Sequence, residues 1–147
     1  MPTFNLRYDL EAPGILPGMV ADSRLTHTIT GVANSAINPG QAVGWDNDPL
    51  DTDAVMQGVA RLETSYEQTD AGVVQYEAGD TVPLVSFGPI AVTTTGAVNA
   101  GEPAYVVTAS GLFTNTAGAG TTTAAVGYFE TTLATAGTAV LFVQRGV

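Results

Sequence analysis

The sequence predicts an all-β protein: a single antiparallel β-barrel or jelly-roll-like sandwich with an extended N-terminal arm. Three observations predict it. Short runs rich in Val, Thr and aromatic residues recur from Leu25 to Val143, and glycine-bearing turns separate them, as in successive antiparallel strands. Inside several runs apolar and polar residues alternate with period two. Charged residues are only 12 % of the chain while Gly numbers 17, which suits strands with a polar but weakly ionic surface. With 147 residues the chain has the length of one domain with a real core. We divide it into an arm, residues 1–20, and an all-β domain, residues 21–147.

Pro2, Pro13 and Pro17, with Gly14 and Gly18 close by, interrupt the arm. Proline fixes its own backbone and biases the preceding residue to extended geometry, so the arm is extended rather than helical. Phe4, Leu6, Tyr8 and Leu10 fall on one side and Asn5, Arg7 and Asp9 on the other. Burying such side chains yields about 1.5–3 kcal/mol each, and ordering the backbone costs about 1–2 kcal/mol per residue. Over residues 1–10 the gain from four side chains does not exceed the ordering cost, so the arm needs a surface. That surface is an edge of its own domain or a neighbour, and Phe4, Leu6, Tyr8 and Leu10 are the candidate contacts.

From Leu25 to Gly31 the alternation is clean, with Leu25, His27 and Ile29 facing one way and Thr26, Thr28 and Thr30 the other. Asn34 to Gly40 reads as a turn, Gln41 to Trp45 as a strand and Asp46 to Asp53 as an acidic loop. Val55 to Leu62 is a strand whose Gly58 marks a bulge or a close backbone approach. After a polar connection from Glu63 to Asp70, strands are expected over Val73–Tyr76, Thr81–Phe87 and Ile90–Thr94, with Pro83 favouring an edge or a strand start. Further short strands contain Ala104–Val107, Leu112–Phe113 and Val126–Phe129. Residues Ala117 to Thr123 are low-complexity and form a loop. Thr138 to Val143 is apolar on both faces, which makes it central in a sheet or covered by a partner subunit. Ile37-Asn38-Pro39-Gly40-Gln41 is echoed by Val98-Asn99-Ala100-Gly101-Glu102, and Ala78-Gly79-Asp80 repeats the same turn. Either a duplicated unit or the reuse of one turn type accounts for the echo.

The composition excludes several chemistries. The chain has no lysine, and Arg7, Arg24, Arg61 and Arg145 stand against 14 carboxylates for a formal charge of -10. That balance repels phosphate backbones and anionic membrane surfaces, so neither nucleic acid nor membrane is an expected partner. With no cysteine there is no disulfide, thiolate metal site or Cys nucleophile. A phosphate loop needs the lysine that is missing. His27 is the only histidine, and its place beside Leu25 and Ile29 predicts a partly buried structural residue rather than a catalytic base. The acidic run begins Asp46-Asn47-Asp48, like the first ligands of a calcium loop, but Leu50 stands at the third ligand position and the following glycine is absent. A solvated loop is the better reading. Trp45, Tyr66, Tyr76 and Tyr105 are assigned mostly to core packing. No enzyme and no cofactor are expected. The first residues, Met1-Pro2-Thr3-Phe4, do not read as a secretory signal, so synthesis in the cytoplasm is expected.

The wording of the turns and strands carries a resemblance. Pro17-Gly18-Met19-Val20-Ala21-Asp22, Ile37-Asn38-Pro39-Gly40-Gln41-Ala42-Val43 and Tyr76-Glu77-Ala78-Gly79-Asp80-Thr81-Val82 belong to the first half. Asn99-Ala100-Gly101-Glu102, Tyr105-Val106, Ser110-Gly111-Leu112-Phe113, Val126-Gly127-Tyr128 and the closing strand belong to the second. Over most of its length the chain resembles the capsid cement, or decoration, proteins of tailed bacteriophages. The resemblance implies a non-catalytic virion protein on the outer surface of a phage head, made in the bacterial host cytoplasm. It would stabilise the shell by bridging copies of the major capsid protein. A homotrimer is implied, with a homodimer as the alternative, and Phe4, Leu6, Tyr8 and Leu10 become candidate capsid contacts as well as subunit contacts. A phage fibre, receptor-binding or other adhesive β-module is the alternative function.

Overall fold

A computed structural model of the chain describes residues 16–50, 55–62, 75–118 and 121–144. Among them there are eight strands and no helix: β1 (His27–Val32), β2 (Ala42–Gly44), β3 (Met56–Ala60), β4 (Thr81–Thr93), β5 (Pro103–Val107), β6 (Leu112–Thr114), β7 (Gly127–Phe129) and β8 (Thr138–Gln144). All pairs of these strands are antiparallel, in the order β2-β3-β4-β8-β7-β5-β6, with β1 added to β4.

One turn recurs four times and sets where chain segments reverse. In Leu16-Pro17-Gly18-Met19, Asn38-Pro39-Gly40-Gln41, Glu77-Ala78-Gly79-Asp80 and Asn99-Ala100-Gly101-Glu102 the fourth N–H donates to the first carbonyl. The glycines have φ of 86°, 82°, 93° and 90°, a region that strains any residue with a Cβ. In each turn the fourth side chain accepts from the first N–H: Met19 Sδ at 3.3 Å, Gln41 Oε1 at 3.1 Å, Asp80 Oδ2 at 2.8 Å and Glu102 Oε2 at 2.8 Å. Each glycine N–H then donates to a carbonyl elsewhere in the fold, on Ala91, Ala60, Ala33 and Phe129 respectively. The echo visible in the sequence is thus one local hydrogen-bonded device, and Leu16–Met19 is a fourth use of it.

Strand β4 is the spine. The sequence predicts two strands here, but the chain runs unbroken through Pro83 and Pro89. The reason lies in which way each proline faces. In an antiparallel ladder a residue's N–H and C=O point to the same edge. The Pro83 carbonyl accepts from Arg61 N–H, just beyond the end of β3, so the missing donor falls where no strand partner needs it. The Pro89 carbonyl accepts from Ala21 N–H at 3.4 Å, so its ring faces residues 18–21 rather than β8. Gly18, Met19, Val20 and Ala21 therefore lie along β4, with Val20 bridging Ile90. Because Pro83 faces β3, its partner Thr30 faces away from β4, and by alternation so do Thr28 and Val32.

A bulge splits β4 into two phases. Thr28 pairs with Val85 but His27 with Phe87, leaving Ser86 as the extra residue. One extra residue moves every later side chain to the other face. Val82 and Leu84 accordingly join a cluster with Ile37, Val43 and Tyr76, whereas Ile90 and Val92 join the larger core. That larger core fills a nearly closed barrel of β4, β8, β7, β5 and β6. A parallel bridge from Thr94 to Phe113, with Thr95 N–H donating to the Phe113 carbonyl, brings β6 back to the end of β4. Phe113, Phe129, Leu141 and Val143 are fully buried inside. Of the two architectures expected, the barrel is the one formed.

Other expectations need correction or refinement. Strand β8 is central, between β4 and β7: Ala139, Leu141 and Val143 point inward and Phe142 outward. A Cβ on Gly58 would lie 2.9 Å from the Leu84 Cβ, the close approach expected of it, and the pairing of β2 with β3 shifts register beside it. Tyr76 forms a single bridge to Ile37 instead of ending a described strand. His27 is exposed, not partly buried: it is the first residue of β1, a strand paired on one side only among the described residues, and the bulge at Ser86 falls beside it. Trp45 is also exposed, at 55 %, since it follows β2 where the chain turns outward.

Candidate functional site

The outward face of β4, β7 and β8 carries an aromatic strip. Register places Phe142 of β8 beside Tyr128 of β7 and Pro89 of β4. The Tyr128 ring stacks on Phe142 at 5.5 Å with planes 14° apart, and Phe87 meets it edge-on at 5.2 Å and 84°. The Arg24 guanidinium lies 5.3 Å from the Phe142 ring centre, a cation–π contact. Arg24 is clamped by carboxylates on both sides: its Nη1 and Nη2 donate to Glu130 at 2.7 and 2.5 Å, and Nε and Nη2 donate to Asp22 at 3.0 and 2.7 Å. These bonds, Glu130 first and Asp22 second, raise the Arg24 pKa and keep it charged, while the hydrogen bond from Arg24 lowers that of the Asp22 carboxyl. Leu25 follows at 80 % exposure, and Phe87 is 38 % exposed.

Such a face has the chemistry of a protein contact. It offers aromatic and aliphatic area around one arginine whose charge is already partnered by Asp22 and Glu130. The pattern of the sequence does not pick out these residues. The available signal is Phe142, on the outer side of a strand that is apolar on both faces.

A second feature is a cleft of about 440 Å³ lined by Asn34, Ser35, Gln41, Asp48, Pro49, Leu50, Ala109 and Ser110. Its polar groups are largely engaged with one another. Ser35 Oγ donates to Asp48 at 2.6 Å, and Gln41 Nε2 donates to the Ser110 carbonyl at 3.0 Å. The acidic loop is similarly occupied: Asp48 N–H donates to Asp46 Oδ1 at 3.2 Å, and Asn34 Nδ2 donates to the Asp46 carbonyl. Among the described residues no three His, Cys, Asp or Glu side chains gather as a metal site. His27 does not line the cleft. The candidate contacts Phe4, Leu6, Tyr8 and Leu10, together with Asp51, Asp53 and Tyr66, lie outside the described residues.

The chain matches the family model of structural cement proteins (E217 gp24/Pam3 gp6) over residues 4–144. No curated protein matches its sequence. Among solved structures it is similar to a chain from the capsid of Myoviridae phage XM1, with TM-score 0.68 at 18 % identity, covering 90 % of this chain and 92 % of that one. It is also similar to the N base of head fiber gp8.5 in bacteriophage phi29, with TM-score 0.51 at 14 % identity, covering 82 % and 96 %. At these identities the two structures support the fold alone. The family match spans nearly the whole chain, so this protein belongs to the structural cement proteins of phages.

Proposed function

We propose that this chain binds the outer surface of a phage head and stabilises the shell by bridging copies of the major capsid protein. The observation that carries the reading is the family match across residues 4–144, which takes in both the arm and the barrel. The aromatic strip around Phe142 and the exposed Leu25 supply a weakly charged surface for protein contact. A shell under internal pressure fails at the seams between capsomers, and a small protein bound across a seam adds buried area there. Repetition by symmetry adds avidity. The protein acts as an oligomer, a trimer or else a dimer, resident on the virion exterior after synthesis in the host cytoplasm. Its role involves no catalysis, nucleic acid or membrane. Phe4, Leu6, Tyr8 and Leu10 contact another subunit or the capsid.

Sedimentation with purified empty heads tests this reading. The protein should pellet with the heads in a saturable amount; protein left in the supernatant at every concentration overturns it. The second reading, a head-fibre or adhesive module, draws on the fold shared with the phi29 fibre base. Images of decorated heads separate the two readings: a cement lies across the seams between capsomers, and a fibre projects from the shell.

A further inference from the structure

We propose that the aromatic strip around Phe142 docks a segment of the capsid protein that carries a lysine or arginine among apolar side chains. The inference rests on the reading of the chain as a cement and names the face and the partner chemistry by which it holds the shell. The strip has its shape before any partner arrives. Phe142 is flanked by Tyr128 of β7 and Phe87 of β4, at 5.5 and 5.2 Å. The Arg24 guanidinium lies 5.3 Å from its ring centre. Among the described residues, Asp22 and Glu130 take up every guanidinium N–H of Arg24 but one. A long side chain fixed in this way loses little freedom on binding, and aromatic residues with arginine are common anchors of a protein contact. Leu25, beside Arg24, is 80 % exposed, so nearly all of its surface is left for a partner to bury.

Charge chooses the partner. One guanidinium against the Asp22 and Glu130 carboxylates leaves negative charge in excess at the strip, and all three side chains are partly exposed. The whole chain carries -10 and has no lysine. An arriving cation is drawn by the excess carboxylate and by the negative faces of the rings. An arriving carboxylate finds Arg24 already spent. A second copy fits poorly: two strips face to face set Asp22 and Glu130 of one against those of the other, between chains of -10 each. The partner is therefore basic where this chain is acidic, and the complementary potentials also steer the encounter.

Gln144 supplies a neutral position from which the partner's charge can be read. It lies two residues beyond Phe142 on β8 and so shares its outward face, and register sets it opposite Phe87. Its backbone N–H donates to the Val126 carbonyl, a bond that any side chain except proline preserves. Gln144→Glu enlarges the negative excess, and Gln144→Lys cancels it. A basic partner should hold the first variant more tightly and the second more weakly than the parent. Each change should be about two- to fivefold at low salt, the scale of a partly exposed charge pair. The spread should narrow as salt rises.

Purified empty heads are titrated with the full-length parent, Leu25→Ser, Tyr128→Ser, Gln144→Glu and Gln144→Lys, and binding is read by sedimentation. The same proteins are sedimented without heads for oligomeric state, with circular dichroism and melting as the check of fold. Leu25→Ser changes a side chain that is mostly in solvent, so it should fold as the parent does and decides alone if Tyr128→Ser does not. Both serine variants should keep the parental oligomeric state and bind heads about tenfold or more weakly, the loss expected of an anchor. The two Gln144 variants should part in the direction given. Parental head binding by the folded serine variants overturns the proposal. So does a changed oligomeric state of Leu25→Ser without heads, which would make the strip a contact between copies. Binding by Gln144→Lys that equals or exceeds that of Gln144→Glu overturns the basic partner. A parent that never pellets with heads overturns the cement reading itself, whereas a parent and serine variants that pellet equally overturn this proposal alone.

Discussion

Glycines at three kinds of position separate backbone strain from crowding. Gly101 has φ of 90°, and a Cβ added there would have nothing within 4 Å, so Gly101→Ala meets strain alone and should cost about 1–2 kcal/mol. A Cβ on Gly127 would sit 2.0 Å from the Phe142 carbonyl oxygen, backbone that cannot step aside, and Gly127→Ala should cost more than about 2 kcal/mol. Gly96 has open space and no positive φ, so Gly96→Ala should fall within about 0.5 kcal/mol of the parent. Urea denaturation of the three variants checks the order. Glu102 gives a pH prediction. Hydrogen bonds from Asn115 Nδ2 and then from the Asn99 N–H and side chain lower its pKa below the ordinary 4.5. A depressed folded-state value means that its stabilisation is complete above about pH 4.5 and is lost as pH falls through the folded value. Melting the parent and Glu102→Gln at about pH 6 and about pH 3 should show a smaller acid-induced drop for the variant. An equal drop in both would remove Glu102 from the acid response.

At the scale of elements, β4 depends on a single extra residue. Ser86 itself does little: its Oγ donates to the His27 carbonyl at 3.3 Å, and Ser86→Ala should cost no more than about 1 kcal/mol. Deleting Ser86 is different in kind. It restores strict alternation, so either Val82 and Leu84 or Ile90 and Val92 must leave their core. The deletion variant should therefore show no cooperative unfolding transition, while Ser86→Ala keeps one. A deletion variant with near-parent stability would mean that the strand absorbs the slip elsewhere.

At the scale of the whole molecule, the arm and the charge are the levers. Removing residues 1–13 should leave a cooperatively folded domain, since among the described residues the barrel core and the side chains packed on it begin at Val20. The shortened protein should lose oligomerisation, head attachment or both, as read by sedimentation. A large fall in melting temperature with loss of cooperativity would instead make the arm an internal strand. Salt acts in two directions. Copies carrying -10 each repel one another, and screening beyond a Debye length of about 10 Å at 0.1 M salt relieves that repulsion. Basic patches on a shell would be screened as well. Raising the salt should strengthen self-association and weaken attachment to heads, and stronger attachment in salt would mark a mainly apolar shell contact.

The all-β class was legible in the sequence because period-two alternation, as from Leu25 to Thr30, is a property of neighbouring residues. The turns at Asn38–Gln41 and Asn99–Glu102 were legible for the same reason: a glycine and a side chain three residues from its partner close the bond locally. Family resemblance rested on those same turns, and the whole-chain match bears it out. What tertiary structure alone decided depends on residues far apart in the chain. Pro83 reads as favouring an edge or a strand start, and Thr81–Phe87 and Ile90–Thr94 as two strands, until the edge that Pro83 and Pro89 each face is known. The barrel rather than a sandwich follows from Thr94 meeting Phe113. The aromatic strip exists only because β4, β7 and β8 place Phe87, Tyr128 and Phe142 side by side. His27 looked half-buried from its neighbours, yet it is exposed, because alternation reveals which residues share a face but not whether anything covers it.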